Sequence, residues 1–159
     1  MDKQLEYSIV PHFKTDFEKD LFKAAIANLD ENYDVLSLNN FSYAIRELVR
    51  NFLSRLAPDD HVKGAPWYTP IINQDGKESI TRKQRMHYAI HGWLTEDILK
   101  NKLSLDVADS IDNLNTNIQK MSKYTHINAE TFNISSATKT IVSLDMLGDL
   151  LRFLMDIEE

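Results

Sequence analysis

The residues with the greatest capacity for chemistry in this chain are five histidines and a set of arginines. His126 closes the run Met121-Ser122-Lys123-Tyr124-Thr125-His126 at the end of a long periodic segment. An imidazole there titrates near neutral pH and can move a proton as general acid or base, with Lys120, Lys123 or an arginine stabilising a phosphate or oxyanion. The same position also suits a structural histidine that meets the negative end of a helix dipole. Arg46 and Arg50 lie one turn apart on one helix, and Arg85 lies one turn into another. Phosphate anchoring by these three plus one group titrating near pH 7 is the minimum for RNA cleavage without a metal. His126 and Lys120 are therefore the catalytic candidates, and Arg46, Arg50 and Arg85 the nucleic-acid-binding ones.

His87 and His91 have the i, i+4 spacing that can place two imidazoles on one metal. The run His87-Tyr88-Ala89-Ile90-His91 lacks the acidic residue after the first histidine and offers no third ligand, so a chance pair is preferred and no metal or cofactor is expected. Basic residues gather between Lys77 and Lys102, where Lys77, Arg82, Lys83, Arg85, Lys100 and Lys102 face Glu78, Glu96 and Asp97. Such a run serves either as a solvated face or as a local phosphate-binding surface.

Several classes of function are excluded. A net charge of −6 and a pI near 5.3 argue against a whole-molecule basic footprint, so any nucleic-acid contact must be local. The absence of cysteine removes disulfides, thiolate zinc sites and cysteine nucleophiles together. Only four glycines are present, with no Gly-rich phosphate loop and no nucleophile elbow among them. Asp59-Asp60 is a sequence neighbour pair without the strand frame that a metal-dependent nuclease of the restriction type uses. Residues 1–11 carry no basic, then apolar, leader pattern, and no run nears the roughly 18 apolar residues of a membrane span. A cytoplasmic protein without membrane association is expected.

The elements that must position these residues are helices, arranged as one domain over 1–159. Thr15 to Glu18 reads as a capping box that opens a helix from Asp16 to about Asn32, with Phe17, Leu21, Ala25 and Leu29 as its buried stripe. The most regular helix starts at Asn39 or Asn40 as N-cap and ends at Ala57. Its Phe41, Ile45, Leu48, Val49, Phe52, Leu53 and Leu56 cover an arc of about 140°. Arg46 and Arg50 fall outside that arc, and Arg55 sits at its opposite rim. Residues 58–79 form a long connection that Trp67-Tyr68 should order. Thr81 opens a second capping box, closed by Gly92, and Thr95 caps a short helix. Val107, Ile111, Leu114, Ile118, Met121 and Thr125 form a 4, 3, 4, 3, 4 seam, and a last helix spans about Ser136 to Ile157 with Ile141, Leu144, Leu147, Leu151 and Leu154 inward. That last helix has more apolar positions than one stripe uses, which predicts self-association or docking of a partner subunit through a helical face. The fold expected is all-α, a bundle of five to six helices in which Phe41, Ile45, Leu48, Phe52, Ile111, Leu114, Ile118 and Met121 share a core.

Leu38-Asn39-Asn40-Phe41-Ser42-Tyr43-Ala44-Ile45-Arg46-Glu47-Leu48, Leu56-Ala57-Pro58-Asp59-Asp60, Trp67-Tyr68, Thr81-Arg82-Lys83-Gln84-Arg85, Tyr88-Ala89-Ile90, Gly92 and Ser122-Lys123-Tyr124-Thr125-His126 occur in this order. The set, spread over residues 36–134, resembles the bacterial predicted pPIWI-associating nuclease domain. The resemblance implies a component of a prokaryotic antiviral or conflict system that acts on RNA or DNA, together with a partner protein of that system. The helical pattern ending in Ser122-Lys123-Tyr124-Thr125-His126 also resembles HEPN domains, some of which are metal-independent ribonucleases with four to six residues intervening between an arginine and a histidine. The corresponding positions before His126 are Gln119, Lys120 and Met121, so Lys120 stands as the basic residue, a point charge where that pattern has a planar fork. A non-catalytic helical module that docks or regulates a partner is the alternative implied by the same residues.

Overall fold

The computed structural model describes residues 3–29, 36–101, 109–125 and 135–158. A short helix α1 (Lys3–Ile9) and a 3-10 turn (Val10–His12) lead into α2 (Asp16–Ala27). Thr15 Oγ1 accepts the Glu18 N–H at 3.1 Å while Glu18 Oε2 accepts the Thr15 N–H at 3.3 Å, so the capping box forms as its residue types require. The buried face of α2 differs from the expected stripe. Phe17 is 59% exposed, whereas Glu18, Phe22, Ala25 and Ile26 are buried. The reason is electrostatic as well as apolar: Glu18 turns inward to take a bidentate pair with Arg55, at 2.6 and 3.1 Å, and that rotation carries Phe17 out.

Helix α3 (Ser37–Leu56) is the centre of the molecule. Phe41, Ile45, Leu48, Val49, Phe52 and Leu53 are all buried, so the arc read from periodicity is the arc used. Each such side chain contributes about 1.5–3 kcal/mol relative to exposure. The helix begins earlier than expected, with Leu36 at the N-cap position and no side-chain cap. Asn39 is not a cap: it lies inside the helix, buried, and its Nδ2 donates to the carbonyl of Tyr124. A tertiary bond has claimed the side chain that local chemistry would have used at the terminus.

After α3 come α4 (Asp59–Lys63) and a two-stranded antiparallel hairpin, β1 (Ile71–Ile72) and β2 (Glu78–Ser79), with Ile71 opposite Ser79 and Ile72 opposite Glu78. Gly76, at φ 79°, makes the turn. This connection is ordered by Trp67, whose Nε1 donates to the Gly92 carbonyl at 2.8 Å, and by Gln84 Nε2, which donates to Thr69 at 2.9 Å. Helix α5 (Arg82–His91) has the Thr81–Gln84 capping box and ends at Gly92 with φ 58°, and α6 (Glu96–Asn101) is capped by Thr95.

Helix α7 (Asp109–Met121) continues as a 3-10 segment (Ser122–Thr125), and α8 (Ser136–Glu158) closes the described chain. Ile111, Leu114, Ile118 and Met121 are buried in one cluster with the α3 residues, as the seam predicts; Val107 lies outside the described residues. The inward face of α8 is partly as expected, with Leu147 and Leu154 buried, and partly a correction: Ile141 is 61% and Leu144 38% exposed, and Met146, Leu150 and Phe153 are buried in addition. Lys139 and Ser143 occupy the inward positions of the first turns, which puts Ile141 and Leu144 on other faces. The architecture is all-α. The helical segments expected from periodicity are present among the described residues, and the short α1 and α4 take the count to eight, above the five to six expected. Helix α3 packs against α2, α5 and the 3-10 segment, while α7 packs along α8.

Candidate functional site

The α3 core arc fixes which way its arginines face. With Val49 and Leu53 turned inward, Arg46 and Arg50 emerge on consecutive turns toward α5, and α5 returns Arg82 from its first turn and Arg85 one turn later. These four guanidinium side chains line one cavity of about 390 Å³, floored by Val49, Leu53, Ile80 and Ile118. The structure therefore brings together the three binding candidates Arg46, Arg50 and Arg85. It adds Arg82, which was not among the expected site residues. Its signal was the i, i+3 spacing of Arg82 and Arg85 in Thr81-Arg82-Lys83-Gln84-Arg85, which puts both on one face of α5.

The four cations differ in how they are held. Arg50 donates through Nε and Nη2 to Glu47 Oε2 at 3.2 and 2.7 Å, and this carboxylate raises the Arg50 pKa. Arg85 is anchored by Nη1 to the Ala57 carbonyl at 2.7 Å and by Nη2 to Asp59 Oδ1 at 2.6 Å. Arg46 Nη1 donates to Thr125 Oγ1 at 3.3 Å, a neutral partner. Arg82 carries a buried Nη1 without a hydrogen-bond partner among the described residues. Burial pushes the Arg82 pKa down, and the Arg46 cation beside it adds to the effect. The guanidinium remains charged, since arginine does not deprotonate under these conditions. Two cations of the cavity thus face carboxylates, and among the described residues Arg46 and Arg82 do not.

The remaining candidates sit elsewhere. Lys120 and Lys123 line a separate cleft of about 630 Å³ between α7 and α8, whose far wall carries Asp145 and Asp149. Lys120 is thus apart from the arginine cavity. His126 lies outside the described residues; Thr125, its predecessor in the chain, is the acceptor for Arg46. His87 and His91 do adjoin, with ring centroids 5.1 Å apart. His87 is engaged by the Leu94 carbonyl, 3.0 Å from its Nε2, and by the Trp67 ring at 4.6 Å. Burial holds His91 below the usual imidazole range, with the neighbouring His87 adding to the effect and Asp156 opposing it. Among the described residues no group of three or more His, Asp or Glu side chains is placed to hold a metal ion.

No helix among the described residues is long and apolar enough to cross a membrane. The fold and the cavity define a mostly helical protein with an arginine-lined cleft built between α3 and α5. The chain belongs to the predicted pPIWI-associating nuclease family, whose family model matches residues 11–150. That match takes in all four cleft arginines and extends to either side of the stretch that carried the resemblance in sequence. No curated protein and no solved structure matches the chain.

Proposed function

We propose that this domain is the nucleic-acid-targeting component of a prokaryotic conflict system and that it holds the sugar–phosphate backbone in the α3–α5 cleft. The single observation that carries the reading is the convergence of Arg46, Arg50, Arg82 and Arg85 on one cavity in a chain of net charge −6. Guanidinium forks bind phosphate oxygens in pairs, and a local cationic site in an acidic protein confines the polyanion to that site. In the catalytic form of this reading, His126 moves the proton of a 2′-hydroxyl or leaving group, without a metal. Its support is the bond from Arg46 to Thr125, the residue that precedes His126.

The test is incubation with labelled single-stranded RNA and DNA, with and without EDTA, for the wild type and His126→Ala. Cleavage of RNA that resists EDTA and is lost in the variant, with binding kept, is the expected result. Absence of binding to either nucleic acid overturns the proposal as a whole. A second reading, a non-catalytic module that docks a partner or a second copy, is favoured by Ile141, Leu144 and Met155, which α8 leaves exposed.

A further inference from the structure

The arrangement of charge in the α3–α5 cleft is uneven in a way that narrows the ligand. Glu47 neutralises Arg50 and Asp59 neutralises Arg85. Arg46 and Arg82 reach the same cavity from facing helices, and among the described residues neither meets a carboxylate. Two unmatched cations side by side repel, and a buried guanidinium nitrogen without an acceptor leaves the cost of its desolvation uncompensated. Both costs disappear when an anion with two charges and several acceptor oxygens enters. An internal phosphodiester brings one negative charge, whereas a phosphomonoester brings about −1.5 to −2 at neutral pH, with three strong acceptor oxygens. The cavity, about 390 Å³, lies at the small end of the range for small-molecule sites, which suits one terminal nucleotide better than a continuous strand.

We propose that the cleft recognises a terminal phosphomonoester, of a nucleic-acid end or of a nucleotide, with Arg46 and Arg82 as the paired anion ligands. Arg50 and Arg85, already neutralised, form the walls, and the apolar side chains of Val49, Leu53 and Ile80 receive the adjoining sugar and base. The inference rests on the reading that this cleft binds nucleic acid.

The experiment is fluorescence polarisation with one single-stranded oligonucleotide in three forms, bearing a 5′-phosphate, a 3′-phosphate or hydroxyls at both ends, and with AMP as competitor. A phosphorylated form should bind about tenfold or more tightly than the hydroxyl form, the size expected for one added ionic hydrogen-bonded pair. Arg82→Ala should bring the phosphorylated form down to the affinity of the hydroxyl form. Arg82→Lys, which keeps the charge on a similar stem, should retain part of the preference and guards against loss of fold in the alanine variant. Competition by AMP assigns the phosphomonoester alone as sufficient; its failure beside a clear end preference assigns the strand end. Equal binding of all three forms overturns the inference while leaving the proposed function standing. An end preference that survives in a folded Arg82→Ala protein overturns it as well. Failure of every form to bind overturns the proposed function itself.

Discussion

Arg46 of α3 donates from Nη1 to Thr125 Oγ1 at 3.3 Å, and Thr125 in turn donates to the Ser122 carbonyl at 2.7 Å. The hydroxyl is a relay: its own proton is spent on the 3-10 segment, which leaves its lone pair for the guanidinium. Thr125→Val keeps the shape and removes the acceptor, so Arg46 loses the contact that orients it toward the cleft. Nucleic-acid affinity should fall about two- to tenfold, in keeping with one hydrogen bond of about 0.5–1.5 kcal/mol, while the far-ultraviolet circular dichroism stays helical. An unchanged affinity would show that Arg46 is oriented by other contacts.

Arg46→Ala and Arg82→Ala should each weaken binding and flatten its salt dependence, because each removes a cation that displaces counterions from the backbone. The slope of log affinity against log salt should drop by about 0.7 per cation for a single strand. Lys120→Ala, in the separate α7–α8 cleft, should leave that slope unchanged. Binding titrations at three or four salt concentrations measure all three slopes.

The buried Glu18–Arg55 pair makes a prediction about stability and pH. Burial by itself would raise the Glu18 pKa, but the Arg55 fork and the N–H groups of Lys14 and Thr15 outweigh it and hold the carboxyl below its ordinary 4.5. Folding therefore weakens proton binding at this carboxylate, and the pair's stabilisation is complete above the ordinary value and fades as pH falls through the lowered one. Glu18→Gln should cost about 1–3 kcal/mol at pH 7, less than the 3–5 of a fully buried pair because the Arg55 side chain keeps 33% of its surface exposed. The difference from wild type should shrink below about pH 4. Urea denaturation at pH 7 and at pH 3.5 tests both halves of the statement.

Asn39 ties the middle of the fold to the end of the 3-10 segment through the Tyr124 carbonyl. Asn39→Ala leaves a buried carbonyl without this donor and should cost about 1–3 kcal/mol. Since Tyr124 precedes Thr125, the same change should also lower nucleic-acid affinity at temperatures where the protein remains folded. A loss of stability with affinity intact would separate the fold from the site.

For α8, light scattering at micromolar concentration reads the association directly. A dimer mass that reverts to the monomer in Ile141→Glu is the outcome expected of a self-associating face, since Ile141 is 61% exposed and a charge there leaves the inward face untouched. A monomer mass in the wild type removes self-association and leaves a separate partner as the occupant.

Much of this protein was written in its local sequence. The two capping boxes, the α3 arc and the α7 seam each depend on residues within a few turns of one another, and each formed as its chemistry requires. The arc also determined that Arg46 and Arg50 leave α3 on the side away from its core, so half of the cleft was legible from one helix. Only the tertiary structure decided the rest. Glu18 turned inward, against the usual place of a carboxylate, because Arg55 lies across from it on a helix 37 residues away in sequence. Asn39 gave up a helix cap for a carbonyl 85 residues distant. Ile141 and Leu144 stayed outside because Lys139 and Ser143 took the inward positions. Arg82 reached the cleft through the approach of α5 to α3, which buried one of its nitrogens beside Arg46. Helical periodicity fixes which face a side chain occupies, but which faces meet is set by packing between segments far apart in the chain, and a site built from two helices exists only once they have met.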